Sequence, residues 1–263
     1  MQFADGKMLA EVADGIGTIT FNNPDKRNAM SLEMWRGLTE ILDRFAEDPS
    51  IRAVVLTGAG TKAFVSGADI SQFGAQRNDA AAQRDYDTQT SAGRARLAAF
   101  PRPIIARIRG FCLGGGIGIA LQADLRIASE DAEFGIPAAR LGLAYGAGMV
   151  RQLVALVGPA HARMLLYTGT RIEAREAERI GLVNRTVRPE DLVETVAELA
   201  RDIADNAPLS IRAAKLAVTA AEAPGSVAAA DVEAAIAACF DSADYREGRA
   251  AFAEKRPPRF RGD

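Results

Sequence analysis

The sequence predicts an α/β fold in which strands and helices alternate first and helices then follow on their own. Short apolar runs typical of strands alternate with helix-like stretches up to about residue 188, and the segments beyond that point read as helices. Three consecutive glycines at 114–116 lie between a strand-like and a helix-like segment, as at the turn of a strand–helix unit. We therefore expect a core at residues 1–188 and a helical region at 189–263.

The first elements are a hairpin and a capped helix. Residues 8–12 and 15–21 alternate apolar and polar around Asp14-Gly15, which is a hairpin signal. Ser31 precedes apolar residues at helical spacing, which predicts a capped amphipathic helix that ends near residue 48.

The alternation continues through the middle of the chain. The apolar run at 51–56 reads as a buried strand, and residues 64–70 read as a short strand with a glycine turn into a helix. Residues 76–100 are polar and helix-like but show poor hydrophobic periodicity near 77–90. The remaining predicted elements are strands at 104–108, 125–128 and 182–187, and helices at 117–124, 148–157, 159–166, 173–180, 190–206, 208–221 and 226–240.

Composition excludes several classes of function. The net charge of the 263 residues is −2, and the basic residues are scattered, so no surface favours nucleic acid. Two cysteines and one histidine form no metal-ligand pattern, and so few cysteines fit a reducing, cytoplasmic setting. No signal peptide is visible and no run approaches 18 apolar residues, so we expect no membrane segment.

Two glycine turns carry the chemistry of the sequence. Gly67-Ala68-Asp69 and the glycines at 114–116 each follow a strand and precede a helix. A glycine turn that opens a helix exposes unpaired backbone N–H groups, and two of them directed at one point can bind a carbonyl oxygen as an oxyanion hole. Either turn alone is weak evidence, because a tight turn with close strand–helix packing has the same sequence.

Further motifs occur in order along the chain. They are NNPDKRNAM at 22–30, GAD at 67–69, GGG at 114–116, FGIP at 134–137 and DYREGRAAFAEKR at 244–256. On these motifs the chain resembles the crotonase (enoyl-CoA hydratase/isomerase) superfamily over about residues 8–260. The resemblance implies a spiral of repeated ββα units, with C-terminal helices that drive trimerisation, and trimers that pair into hexamers. It also implies a coenzyme A thioester as substrate, with no permanently bound cofactor and no metal.

The resemblance also implies roles for particular residues. The backbone N–H groups of Ala68 and Gly115 are expected to hold the thioester oxygen. Lys26 or Arg27 is expected to approach the coenzyme A phosphates, and the backbone of residues 68–70 is expected to line the adenine site. Phe252 and Lys255 are expected to reach coenzyme A across a subunit boundary. The residues expected at the coenzyme A site are Lys26, Arg27, Ala68, Asp69, Ile70, Phe252 and Lys255. A solvated surface charge is the alternative for either lysine.

The sequence departs from the hydratases of this superfamily at their two glutamates. Those glutamates hold and deprotonate the water that is added, and the matching positions here are Gly118 and Ala138. We expect hydration by the usual acid pair to be lost and the pocket floor to be wider and more apolar. Tyr145 matches a tyrosine of the methylmalonyl-CoA decarboxylase branch, whose hydroxyl faces the substrate carboxylate. That branch has a histidine where this chain has Ala68, and a half-buried loop tyrosine is the alternative reading.

Other polar residues have simpler expected roles. Asp69 is expected to cap the next helix and Asp124 to bond backbone groups. Arg140 could pair with a substrate carboxylate, although we expect it at the surface, and His161 reads as structural.

Three functions remain open. The first is an enzyme that forms a thioester enolate, of lyase, decarboxylase or isomerase type. The second is residual hydratase activity with another acid, and the third is a non-catalytic acyl-CoA-binding subunit. A nicotinamide-dependent dehydrogenase is excluded, since residues 114–118 read GGGIG and lack the GxGxxG spacing.

Overall fold

The computed structural model describes residues 1–69 and 80–263, and for residues 80–83 and 85–87 it describes the backbone alone. Within these residues the strands are β1 (Gln2–Phe3), β2 (Met8–Ala13), β3 (Ile16–Phe21), β4 (Ala53–Gly58), β5 (Ala63–Val65), β6 (Ile104–Ile108), β7 (Phe111–Leu113), β8 (Leu125–Ser129), β9 (Glu133–Gly135), β10 (Arg171–Glu173) and β11 (Arg185–Val187). The α-helices are α1 (Leu32–Glu47), α2 (Ala80–Ala98), α3 (Gly115–Ala120), α4 (Ala147–Thr168), α5 (Ala174–Arg179), α6 (Leu192–Asp205), α7 (Pro208–Glu222), α8 (Ala229–Asp241) and α9 (Ala243–Glu254). The predicted α/β fold is confirmed.

The strands form two sheets. The larger has seven strands in the order β1-β2-β3-β4-β6-β8-β11, and it is parallel from β3 onward. Strands β2 and β3 form the predicted antiparallel hairpin, in which Asp14 and Gly15 have φ angles of 50° and 75°. Two consecutive positive φ angles are what a tight hairpin turn requires.

The smaller sheet has four strands in the order β10-β9-β7-β5. Strands β5, β7 and β9 are parallel, and β10 joins antiparallel. The sequence predicts β5 alone among these four, because strands of three residues are too short to show a period. This sheet positions the candidate site, since both glycine turns leave from its strands.

One face of the large sheet packs against α1, and α2 packs on α1. Ser31 caps α1 as predicted, because its hydroxyl accepts a hydrogen bond from the Met34 N–H at 3.3 Å. An ideal Cβ built on Gly93 of α2 would lie 2.5 Å from the ring of buried Trp35, so the glycine allows α2 to approach α1 closely.

The other face of the large sheet packs against α6. Buried apolar residues of the two elements form one cluster, namely Val55, Ile105, Ile127, Leu192, Val196 and Ala200. The proposed division of the chain after residue 188 remains a prediction, and α6 is packed directly on the sheet of the first part.

The helices at 148–157 and 159–166 are predicted separately, and α4 contains both. The helix is kinked at Gly158, whose φ of 72° is not helical, and Pro159 follows. No helix among residues 1–69 and 80–263 is long and apolar enough to cross a membrane.

Candidate active site

The first glycine turn follows β5 and presents one backbone N–H. Ala68 forms an isolated parallel bridge with Met30, in which the Met30 N–H donates to Gly67 O at 2.8 Å and the Asp69 N–H donates to Met30 O at 2.9 Å. The carbonyl and the N–H of a trans peptide point in opposite directions. Because the Gly67 carbonyl faces Met30, the Ala68 N–H faces the other way, toward the side on which β7 pairs with β5.

The second glycine turn follows β7 and opens α3. Gly114 has a φ of 54°, a conformation that favours glycine, and its carbonyl accepts the first helical hydrogen bond from the Gly118 N–H. The N–H of Gly115 belongs to the same peptide and therefore points out of the N-terminal end of the helix.

The two backbone N–H groups are neighbours in space. An ideal Cβ built on Gly115 would lie 3.7 Å from the Ala68 nitrogen, and one built on Gly67 would lie 3.9 Å from the Gly115 nitrogen. Gly116 makes this approach possible, because a Cβ on it would lie 2.1 Å from the Val65 carbonyl oxygen. Two donors on separate loops at this separation can bind one oxygen atom and stabilise negative charge that develops on it.

An ion pair lies directly beside the first of these donors. Lys26 Nζ is 2.7 Å from Asp69 Oδ2, and Asp69 is buried whereas the Lys26 side chain is half exposed. Asp69 is expected to cap the next helix, whose first residues lie outside the described part of the chain, and its carboxylate pairs with Lys26. Ile70, which is also expected at the adenine site, lies outside the described residues.

Comparison with known proteins identifies the family of the chain. Residues 11–263 match the family model described as enoyl-CoA hydratase/isomerase. The chain belongs to this family. The predicted membership of the crotonase superfamily is thereby confirmed. This family consists of enzymes that act on coenzyme A thioesters.

Relatives match this family member over almost its whole length. A short-chain enoyl-CoA hydratase of Clostridium acetobutylicum is 36% identical over 250 residues, which is 95% of each chain. A crotonyl-CoA hydratase of Syntrophomonas wolfei is 35% identical over 254 residues, 96% of this chain and 97% of the relative. The crystal structure of an enoyl-CoA hydratase/carnithine racemase from Magnetospirillum magneticum superposes with a TM-score of 0.94 at 36% identity, covering 98% of this chain and 96% of the other.

Gly118, where the resemblance places the first hydratase glutamate, is buried in α3. An ideal Cβ there would lie 3.5 Å from Met149 Sδ and 3.9 Å from Arg94 Cδ. The wider and more apolar pocket floor stays a prediction; the atoms beside Gly118 are a thioether sulfur and the Cδ methylene of a cationic side chain. Sequence reasoning missed Arg94, since the segment 76–100 lacks the periodicity that would assign a face of the helix to it.

Ala138, where the resemblance places the second hydratase glutamate, is buried in a short 3₁₀ helix at Pro137–Leu141. Its carbonyl accepts a hydrogen bond from the Leu143 N–H at 3.0 Å, which shapes the loop that leads to Tyr145. A methyl side chain at this position offers no group that can exchange a proton.

Tyr145 lies against the glycine run. Its side chain is half-buried against the main core, and its hydroxyl oxygen would be 3.0 Å from a Cβ built on Gly114. The hydroxyl is thus directed at the residue before Gly115 and lies near the oxyanion donors. Tyr145 thus lies beside Gly114 from the loop before α4, and Met149, in the first turn of that helix, lies beside Gly118.

The other residues expected at the coenzyme A site are more dispersed. Arg27 is exposed, has a φ of 52°, and places its guanidinium carbon 5.2 Å from the centre of the Phe111 ring. Phe252 is 88% exposed on α9, and Lys255 is an exposed residue that ends this helix. Both C-terminal residues are available to another molecule, and the structure contains one chain.

Three further expectations concern polar residues outside the site. Asp124 accepts hydrogen bonds from the Ile104 N–H and from Lys215 Nζ, at 2.6 Å and 2.9 Å, so it bonds backbone as expected. Arg140 is exposed, as expected, and donates to the Thr168 carbonyl. No group of three potential metal ligands occurs among the residues described.

Proposed function

We propose that this family member forms an enolate from a coenzyme A thioester, with the N–H groups of Ala68 and Gly115 as its oxyanion hole. The observation that carries this proposal is the proximity of these two backbone donors, which leave separate loops of the small sheet. The proposed reaction class is that of a lyase, including a decarboxylase, or an isomerase.

The physical reason for an enolate lies in where the donors act. A thioester oxygen gains negative charge when Cα loses a proton or a carboxylate, and fixed N–H donors stabilise that charge more than they stabilise the neutral carbonyl. The donors are part of the backbone and need no rearrangement during the reaction. Removal of one such donor costs about 10²–10³ in rate in comparable sites.

The residues around the donors favour chemistry other than the usual hydration. Gly118 and Ala138 offer no carboxylate, whereas the Tyr145 hydroxyl lies beside Gly114. A tyrosine hydroxyl can donate a hydrogen bond to a substrate carboxylate or to the developing enolate. We assign Tyr145 this role, in which it orients the substrate.

We propose that coenzyme A lies along the loop that holds Lys26, Arg27 and the backbone of residues 68–70. The Lys26–Asp69 ion pair supports this placement, since it holds a cation beside the Ala68 donor. Phosphates attract such cations, and Arg27 is exposed on the same loop. Phe252 and Lys255 of another subunit complete the site in this proposal.

We test the reaction class with Gly115→Pro. Proline is accepted at the first position of a helix, so it removes the N–H donor with little cost to α3. The parent protein should exchange the α-protons of an acyl-CoA for deuterium, or release CO₂ from a malonyl-type thioester. We expect the proline variant to lose about 10²–10³ of that rate.

Gly115→Ala is the control that distinguishes the loss of the N–H donor from the effect of an added side chain. Its Cβ would meet the first glycine turn at 3.6 to 3.7 Å, an ordinary contact, and its N–H remains, so it should lose much less activity than the proline variant. A parent protein that neither exchanges protons nor decarboxylates any thioester would overturn the enolate proposal. Tight binding of acyl-CoA without turnover would then indicate a non-catalytic subunit.

Residual hydratase activity is the second candidate, and the names of the relatives favour it. Hydration of crotonyl-CoA by the parent protein would establish it. Gly118→Glu combined with Ala138→Glu would test whether the acid pair alone is missing. The new carboxylate at position 118 would lie beside Arg94, so an ion pair there should limit any gain.

A further inference from the structure

The Arg94 side chain lies beside Gly118, the position at which the family resemblance places the first carboxylate of a hydratase. Its Cδ would be 3.9 Å from a Cβ on Gly118, and the guanidinium carbon lies two bonds further along the side chain. Gly118 follows Gly115 by three residues of α3, which is about 4.5 Å along the helix axis. Gly118, the residue that the Arg94 side chain approaches, therefore lies one helical turn from the N–H that holds the thioester oxygen in the proposed function.

The surrounding structure fixes the position of this cation. Gly93 lets α2 approach Trp35, and the Arg94 guanidinium carbon lies 5.6 Å from the centre of the Trp35 ring. Arg94 Nη2 donates to the hydroxyl of Thr90 at 3.3 Å and to that of Ser91 at 3.2 Å, and Thr90 is buried. A cation over an aromatic face with hydroxyl acceptors from its own helix is held in place beside Gly118.

We propose that Arg94 binds a carboxylate on the acyl group, so that the substrate is a short-chain acyl-CoA that carries a second acidic group. This inference rests on the proposed function, since it assumes a thioester at Ala68 and Gly115. A guanidinium presents its N–H groups in a planar fork that fits a carboxylate, and the pair is stronger where water is partly excluded. Arg94 thus gives this site a positive charge, whereas two glutamates would give it a negative charge.

The position of Arg94 also restricts the reaction. A carboxylate that leaves as CO₂ must pass its electron pair to the thioester, and a cation bound to it stabilises the ground state. The carboxylate at Arg94 is therefore one that the product retains. The bond that breaks is then a Cα–H bond or another bond at Cα or Cβ.

The inference is tested by comparing thioesters that differ in one group. Succinyl-CoA and butyryl-CoA share a chain length, with a carboxylate in one and a methyl in the other, and glutaryl-CoA and valeryl-CoA form a second pair. Calorimetry on the full chain should show tighter binding of the carboxylated member by about 10- to 100-fold, as for a hydrogen bond to a charged group. Arg94→Gln should abolish that preference and change the affinity for the neutral member little, while Arg94→Lys should retain part of it.

Arg96→Gln is the matched control. Arg96 lies on the same helix and pairs with Asp43 at the surface at 2.6 Å, so its loss should leave the preference unchanged. Circular dichroism checks that Arg94→Gln keeps the fold. If neutral thioesters bind and carboxylated ones bind no tighter, or if Arg94→Gln keeps the preference, this inference is wrong and the proposed function stands. If none of the four binds, this inference is wrong, and the proton-exchange and decarboxylation assays decide the proposed function separately.

Discussion

Single residues decide how closely the two donor loops approach. Gly116 is the tightest point, because a Cβ there would lie 2.1 Å from the Val65 carbonyl oxygen, which is backbone and cannot turn aside. The approach of Gly115 to Ala68 depends on this contact. A residue that touches no substrate therefore controls the geometry of the proposed oxyanion hole.

We expect Gly116→Ala to destabilise the protein by about 3 kcal/mol, the upper end of the range for overpacking a core. The free energy of unfolding in urea measures this change. Gly148→Ala is the control, since a Cβ there meets nothing within 4 Å and the residue lies in α4, where alanine should stabilise by up to about 1 kcal/mol. Equal stabilities of the two variants would contradict the contact at Gly116.

Some of these residues could be predicted from sequence and others could not. The glycine turns were recognisable because backbone donors at a strand–helix turn need glycine in any surrounding. The ion pair between Lys26 and Asp69 joins residues 43 positions apart, so it depends on packing that no local pattern records. The position of Arg94 beside Gly118 also depends on packing between two helices. Sequence reasoning missed it because Gly118 has no side chain that would indicate a partner.

At the scale of elements, the segment at residues 255–263 shows how a short piece of chain is held. Glu247 of α9 accepts two hydrogen bonds from Arg256, at 2.6 Å and 2.9 Å, and one from the Arg259 N–H at 2.8 Å. Buried Asp244 accepts from the N–H groups of Arg261 and Gly262. Two carboxylates on α9 thus fix this segment against the helix.

This attachment should depend on pH. The hydrogen bonds from Arg256 and then from the Arg259 N–H lower the pKa of Glu247 from its ordinary value of 4.5 to about 2. A lowered carboxyl pKa adds stability that is fully present above the ordinary value and is lost as the pH falls toward 2. We expect the hydrogen-exchange protection of the Arg259 amide to fall over this range.

Glu247→Gln should lose much of that protection already at neutral pH, because a neutral amide binds Arg256 less strongly. Glu233→Gln, an exposed change on α8, should behave like the parent protein. Protection of the Arg259 amide that is the same in Glu247→Gln and the parent would show that Glu247 does not hold the segment.

The sequence predicted the longer elements well and the short ones poorly. The hairpin at β2 and β3 and the cap of α1 follow from local chemistry, namely Asp14-Gly15 and Ser31. Strands β7, β9 and β10 have three residues each and exist because they pair with one another. Their pairing depends on the whole fold, and so no window of sequence contains it.

At the scale of the whole molecule, large apolar side chains remain exposed on the later helices. Met164 and Tyr167 of α4 are 61% and 72% exposed, and Phe240 of α8 is 60% exposed. Phe240 and Phe252 line one groove with Tyr245 and Phe260, and an exposed apolar patch of this kind marks a contact with another chain. We propose that they lie between subunits of a homotrimer, which can pair into a hexamer.

Sedimentation velocity tests this assembly. We expect a particle of three or six times the 27.9 kDa chain mass, and Phe240→Glu should shift it toward smaller species. Val12→Glu, a change at a partly exposed site on β2, should not. A parent protein that sediments as a monomer at micromolar concentration would contradict the proposal.

The central claim is that the N–H groups of Ala68 and Gly115 bind one thioester oxygen. Infrared difference spectroscopy of a bound acyl-CoA with ¹³C at the thioester carbonyl tests it most directly, because two donors weaken the C=O bond and lower its stretching frequency. We expect a lower frequency in the parent complex than in water, and a smaller shift in Gly115→Pro. A bound carbonyl with the same frequency as in water would contradict the claim.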